Sequence, residues 1–216
     1  MPIRKVSNRG GNVIGRFPSF KVGRMIAFES LLERDFIYLL DYDAEVAWFE
    51  EQPLSIEYVY ETKKLHYTPD FHLFERGRHV LIECKPERFI ETEENRRKFA
   101  VAQAWCEKRG WKFRAITDQQ VRNGFRLENI KLLTQYARQK VDIVTRSQIC
   151  TCLQETQMDI SIHNLAALLQ PDNPSGAIAS IFCLAYHHIV NLSLDEAPIS
   201  GANTVSLVLR KQTEVA

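Results

Sequence analysis

A chain of 216 residues and 25.0 kDa, 45% apolar and 25% charged, suits one domain of ordinary size plus a small second one. No apolar run approaches the ~18 residues that cross a bilayer, and MPIRKVSNRGG has no apolar core behind its basic residues, which predicts a cytoplasmic protein without membrane span or secretory leader. Net charge is only +1, and the five cysteines (Cys84, Cys106, Cys150, Cys152, Cys183), without a CxxC pair, argue against a disulfide framework or a zinc knuckle.

The small net charge hides an uneven distribution. Residues 1–24 carry Arg4, Lys5, Arg9, Arg16, Lys21 and Arg24 with no acid among them, interleaved with glycines and Phe17 and Phe20, and read as a basic arm suited to phosphates. Phe28, Leu31, Leu32, Phe36, Leu39 and Leu40 recur at helical steps, predicting an amphipathic helix to about Asp41. Strands follow at 46–50 and 55–60, parted by Gln52-Pro53, and then at 67–74 and 79–84 around a polar turn at Arg76-Gly77. A helix over 92–108, with Arg96, Arg97 and Lys98 as candidate phosphate contacts, ends at Gly110; a strand over 111–116 and a helix over 127–138 complete an α/β layer with a mixed sheet over 25–140. Residues 141–216 offer three helices and then two β-like runs around DEAPISGAN, the element order of a winged-helix module.

One stretch, LHYTPDFHLFERGRHVLIECKPE (65–87), places Asp70, Glu83 and Lys85 where strands are ordinarily apolar. Unpaired charges beside a sheet are costly unless they bind one another or a cation. Glu83 and Lys85, two apart, project from one strand face, and pairing through Gly77 puts Asp70 nearly opposite Glu83. Two carboxylates so close suit Mg²⁺, with Mn²⁺ able to substitute, and Lys85 is placed to orient or deprotonate a water or to meet developing phosphate charge. A surface salt bridge between Lys85 and one of the acids is the bland alternative.

Pro69-Asp70 followed by Glu83-Cys84-Lys85 resembles the PD-(D/E)xK nucleases, the restriction-endonuclease-like superfamily. GRFPSFKVGR, FESLLERDFIYLLDYDAEV, FEEQPLSIEY, YTPDF and IECKP together resemble the N-terminal domain of TnsA, the endonuclease subunit of heteromeric transposases, over roughly residues 9–140. The resemblance implies a catalytic Glu from the first helix, here Glu33, with Glu29 one turn earlier as its rival. It implies Asp70, Glu83 and the carbonyl of Cys84 as metal ligands, Glu33 at a second metal position or on a bound water, and Lys85 on the attacking water. It further implies hydrolysis of the 5′ strand at transposon ends, beside a TnsB-like DDE transposase and a TnsC-like AAA+ regulator that the C-terminal module serves together with DNA. A stand-alone restriction or repair nuclease and a non-catalytic assembly factor are the rival readings. Gln52, His66, His72 and His79 lie close enough in sequence to contribute water or phosphate contacts, with structural roles as the alternative.

Overall fold

A computed structural model describes residues 13–156 and 160–208, so Arg4, Lys5 and Arg9 lie outside the described residues. The chain divides into two compact units, Met1–Asn123 and Gly124–Ala216.

The first unit opens with an antiparallel hairpin, β1 (Gly15–Pro18) and β2 (Met25–Phe28). Phe17 and Ile26 are buried, and Phe17 meets the Tyr38 ring edge-on at 4.7 Å. The hairpin's loop is organised by one carboxylate of the next helix, α1 (Leu31–Tyr42): Asp41 accepts from the Ser19 hydroxyl and from the backbone N–H groups of Phe20 and Lys21, at 3.0 and 3.1 Å for the latter two. The basic arm expected over 1–24 is therefore corrected for its described part. Residues 15–24 are folded chain, because Phe17 is buried in the hairpin and Asp41 gathers its loop, neither of which a charge count reveals.

A four-stranded mixed sheet follows, in the order β3-β6-β7-β8, built from β3 (Val46–Glu51), β6 (Phe71–Glu75), β7 (Arg78–Cys84) and β8 (Lys112–Ile116). β6 and β7 are joined by Arg76 and Gly77, both at positive φ (49° and 74°), as the two-residue turns favoured between twisted antiparallel strands require. β7 runs parallel to β8, so the chain between them must cross over, and it does so through α2 (Glu87–Ile90) and α3 (Glu93–Glu107). The strand period of two sorts the faces. Phe71 meets Phe36 of α1 at 5.8 Å on one side, whereas Leu81 packs with Ala102 and Cys106 of α3 on the other. Between β3 and β6 the chain leaves the sheet in a separate hairpin, β4 (Ile56–Tyr60) and β5 (Lys63–Tyr67), and after β8 a short helix, α4 (Asp118–Val121), closes the unit. The expected strand over 67–74 is thus two elements, broken at Pro69, whose fixed φ and missing N–H interrupt pairing.

The second unit contains α5 (Arg126–Thr134), α6 (Ile143–Glu155), β9 (Ile160–Ser161), α7 (Ile162–Leu169), α8 (Pro174–Tyr186), β10 (Val190–Leu192) and β11 (Thr204–Leu207). Its three strands are antiparallel, in the order β10-β11-β9. The boundary falls at 123/124 rather than near 140, so α5 belongs here. The reason is a buried amide on α5: Asn129 donates to the carbonyls of Leu194 and Ala197 and accepts from the N–H of Ile199, each at 2.8 Å, pinning the connection between β10 and β11. Among the described residues no helix is long and apolar enough to cross a membrane.

Candidate active site

The end of the β6–β7 hairpin, the start of α1 and the N-terminal half of α3 enclose a cleft of about 790 Å³. Each wall has a local cause. The register that sets Phe71 opposite Ile82 brings Asp70 to Glu83 one step further on, and Asp70 is fixed there by the backbone N–H of Cys84, which donates to its Oδ2 at 2.7 Å. Glu83, only 4% exposed, is held at both oxygens: the Lys85 ammonium lies 2.9 Å from Oε1, and the Tyr67 hydroxyl donates to Oε2 at 2.9 Å. The Lys85–Glu83 pair of the bland reading therefore exists, but inside the cleft rather than on an exposed edge.

Ser30 caps α1, accepting from the Glu33 N–H at 3.1 Å, and Glu33 folds back over the helix start. Its Oε1 accepts from the Ser30 hydroxyl and its Oε2 from the Glu29 N–H, both at 2.8 Å, a reciprocal arrangement akin to a capping box. Glu33 and Glu29 both line the cleft. Glu29 is held by Gln52, whose Nε2 donates to Glu29 Oε1 at 3.1 Å and whose backbone N–H donates to the Asp70 carbonyl at 2.8 Å. Gln52 occupies the left-handed region at φ 46°, an unfavourable conformation for a residue with a Cβ, and its buried Oε1 has no hydrogen-bond partner.

The electrostatics follow from crowding. Burial, then the charges of Glu83 and Glu33, push the Asp70 carboxyl well above its ordinary value. Burial raises Glu33 as well, against the hydrogen bonds from Glu29 and Ser30. For Lys85 burial acts downward, but Glu83 and Asp70 outweigh it and raise the ammonium, so it stays cationic. Burial followed by the Glu83 charge raises the Tyr67 phenol, so its hydroxyl remains a donor. Asp70, Glu83 and Glu33 thus crowd around Lys85 in a recess that Glu29, Glu94 and Lys98 also line, and the acids repel one another, the condition a hard cation would relieve.

Among the described residues no three His, Cys, Asp or Glu side chains converge tightly enough to chelate an ion alone. The donor set nevertheless suits Mg²⁺, which keeps several waters and takes one or two carboxylates plus substrate phosphate oxygens. Asp70 and Glu83 would be those carboxylates, with Cys84 lining the cleft beside them, while the Glu33 carboxylate accepts from Ser30 and Glu29 at the helix start.

The structure separates the candidate phosphate contacts. Lys98 lines the cleft, with its ammonium on Glu94, and His66 and the buried Asn95 line it too. Arg96 pairs with Glu91, and the Arg97 guanidinium stacks on Tyr60 at 3.7 Å, so both are engaged within the fold. Lys21 donates to the Asp43 carbonyl, Arg24 pairs with Glu51, and Arg16 is exposed on β1. His72 and His79 do not reach the cleft residues. Their imidazoles contact each other at 3.0 Å, stack on Trp111 at 4.4 and 4.6 Å, and His72 faces Glu50. Cys150 and Cys152 are free thiols on α6. Sequence reasoning passed over Tyr67 and Ser30. A helix-capping pattern at Ser30-Leu-Leu-Glu33 could have found the serine, but the tyrosine's partner depends on how β5 lies over β7.

Fold and site define a class: a mixed-sheet α/β domain whose central hairpin ends in an acidic cleft with Lys85 set among its carboxylates. Residues 43–118, from the entry to β3 to the start of α4, match the family model for the TnsA-like endonuclease N-terminal domain. No curated protein matches the chain.

Proposed function

We propose that the chain is a Mg²⁺-dependent DNA endonuclease subunit of a transposase, hydrolysing the 5′ strand at transposon ends together with a TnsB-like DDE transposase and a TnsC-like AAA+ regulator. The observation that carries this reading is the meeting of Asp70, Glu83 and Lys85 in one cleft, within the stretch that matches the endonuclease family. Phosphodiester hydrolysis is slow because a nucleophile must approach an anion. A divalent ion, when bound, supplies charge neutralisation at the scissile phosphate and a more acidic water. Asp70, Glu83 and the carbonyl of Cys84 would hold it. Lys85 acts as a cation rather than a base: with Glu83 and Asp70 keeping it protonated, it orients the attacking water and meets the charge that develops on the phosphate. Glu33 and Glu29 line the same cleft and would hold a second ion or a bound water.

Lys98, His66 and Asn95 line the cleft and are the nearest groups for the DNA backbone. Support for a winged-helix module in the second unit comes from the order that follows α5, of helix, strand, two helices and two strands, with β11 central. That module serves DNA or the regulator. A strand-resolved cleavage assay on end-bearing DNA, with the DDE transposase and Mg²⁺ present, tests the whole reading. Asp70→Ala is expected to lower 5′-strand cutting on the order of 10³-fold with other-strand cutting retained. Undiminished 5′-strand cutting by Asp70→Ala overturns it.

A further inference from the structure

We infer that Tyr67 is a positioning residue of the active site: its hydroxyl fixes the orientation of the Glu83 carboxylate and thereby sets the affinity for the divalent ion. The inference rests on the nuclease reading above and adds to it a group outside the acid-and-lysine pattern.

The need for such a group comes from Glu83 itself. The last side-chain torsion of a glutamate is broad and weakly directed, so a carboxylate at a strand end does not hold one orientation without partners. Glu83 has two, the Lys85 ammonium on Oε1 and the Tyr67 hydroxyl on Oε2, each at 2.9 Å. They are unequal anchors. The Lys85 side chain is 31% exposed and hangs on a flexible stem, and its role in the reaction requires it to face water and phosphate. Tyr67 is 4% exposed, and its ring is packed with Ile56, Leu81, Ala102 and Cys106. A ring seated in that core cannot swing, so its hydroxyl is a fixed point. A phenol also donates a single hydrogen bond and leaves the second lone pair of the accepting oxygen available, so it orients the carboxylate without withdrawing it from an ion.

The position in the fold matters as much as the bond. Tyr67 is the last residue of β5, in a hairpin that is not part of the β3-β6-β7-β8 sheet. Thr68, Pro69 and Asp70 follow. The residue that holds Glu83 and the residue that faces it are thus three positions apart on one short segment, so the spacing between the two carboxylates is set by chain geometry on one side and by a core-anchored hydrogen bond on the other. Groups that orient a metal ligand in this way ordinarily change metal affinity or activity 10–100-fold when removed.

The test is Mn²⁺ binding without DNA, followed by electron paramagnetic resonance and calorimetry, on the full chain and on Tyr67→Phe, Glu83→Gln, the double variant and Asp70→Ala. Tyr67→Phe is expected to weaken Mn²⁺ about 10-fold and to move the metal midpoint of cleavage by the same factor. In the Glu83→Gln background the same change is expected to add less than about 2-fold, because a residue acting through Glu83 has nothing left to orient. Equal Mn²⁺ affinity in wild type and Tyr67→Phe overturns the inference, and so does a loss that is the same size with Glu83 present or replaced, which marks a merely structural role. Failure of Tyr67→Phe to fold overturns it likewise. If wild type binds no Mn²⁺, the nuclease reading falls first and this inference with it; if Asp70→Ala loses binding while Tyr67→Phe does not, only the inference falls.

Discussion

The first unit withdraws carboxylates from water in two places, and it treats them in opposite ways. On the α1 side each acid is matched. Asp35, 3% exposed, lies 3.0 Å from both Arg34 and Arg122; Glu51, 5% exposed, accepts from Arg24 at 2.8 Å and from the Ala27 N–H at 3.2 Å; Asp41 accepts from the loop between β1 and β2. In the cleft Asp70, Glu83 and Glu33 face one another across a single lysine. The difference appears in the proton affinities. Burial pushes Glu51 up, but the Arg24 hydrogen bond and the backbone donors outweigh it and hold the group below its ordinary value, whereas Asp70 stands well above. Burial of an acid is therefore no mark of function by itself. What distinguishes the cleft is that burial and the mutual repulsion of its acids outweigh the donors and the cation that Asp70 and Glu33 have, a balance that a cation would relieve and a structural ion pair lacks.

The comparison breaks most visibly if a matched acid can be deleted at no cost. Asp41→Ala strips the acceptor from a buried hydroxyl and two backbone N–H groups and is expected to cost about 3 kcal/mol, read by urea unfolding with an unchanged slope. A loss under about 1 kcal/mol would mean that the loop finds other acceptors and that Asp41 is not its organiser.

An unmatched acid has the opposite sign. Asp70→Asn keeps the size of the side chain and removes a charge that Glu83 and Glu33 repel, so the metal-free protein is expected to gain about 1 kcal/mol at neutral pH while 5′-strand cutting is lost. The pH dependence has a defined direction. The folded state holds its proton on Asp70 and Glu33 above the ordinary values of 3.8 and 4.5, whereas the unfolded chain has released it. In that window the native state binds more protons, so stability falls as pH rises from about 4. Thermal unfolding of metal-free wild type from pH 4.5 to 8 is expected to show the decline. Asp70→Asn flattens it and Mg²⁺ reverses it at the upper end; a wild-type profile that rises through this range would contradict that balance in the cleft.

How far this was legible in the sequence depends on the range of the interaction. The strand pair with its Arg76-Gly77 turn and the opposition of Asp70 to Glu83 follow from a period of two and a short loop, both local. The first helix also follows from local spacing, whereas Glu33 is singled out only by the family resemblance, and its capping role is visible only once Ser30 is placed. Long-range partners were opaque. Phe17 and Phe20 read as ornaments of a basic arm because nothing nearby in sequence announces that Asp41 gathers the loop between them and β2. The unit boundary was misplaced by about 17 residues because α5 shows only a weak apolar stripe, and the bonds of Asn129 that assign it reach 65–70 residues ahead. Tyr67 belongs to the same category, since its partner Glu83 lies 16 residues away on an element of a different sheet.

The smallest expected effect on stability sharpens the comparison at its margin, where Gln52 joins the two walls. Its backbone N–H holds the Asp70 carbonyl, and its amide holds Glu29, from a conformation that disfavours side chains. Gln52→Gly separates these parts. Glycine adopts φ 46° without a Cβ penalty and retains the N–H, so the strain of roughly 1 kcal/mol is relieved. The lost amide bond to Glu29 costs a comparable amount, about 1 kcal/mol, so the net change in unfolding free energy is expected to stay within about 1 kcal/mol. Cleavage should nevertheless fall about 10-fold, because Glu29 loses the donor that holds it on the cleft wall. A variant that is destabilised by more than about 2 kcal/mol would show that the amide stabilises the fold. One with unchanged stability and unchanged cleavage would remove Glu29 from the site and leave Glu33 as the sole helix carboxylate that matters. Gln52→Asn separates those outcomes further: asparagine tolerates the left-handed region but falls short of Glu29, so it is expected to match the glycine variant in cleavage rather than the wild type.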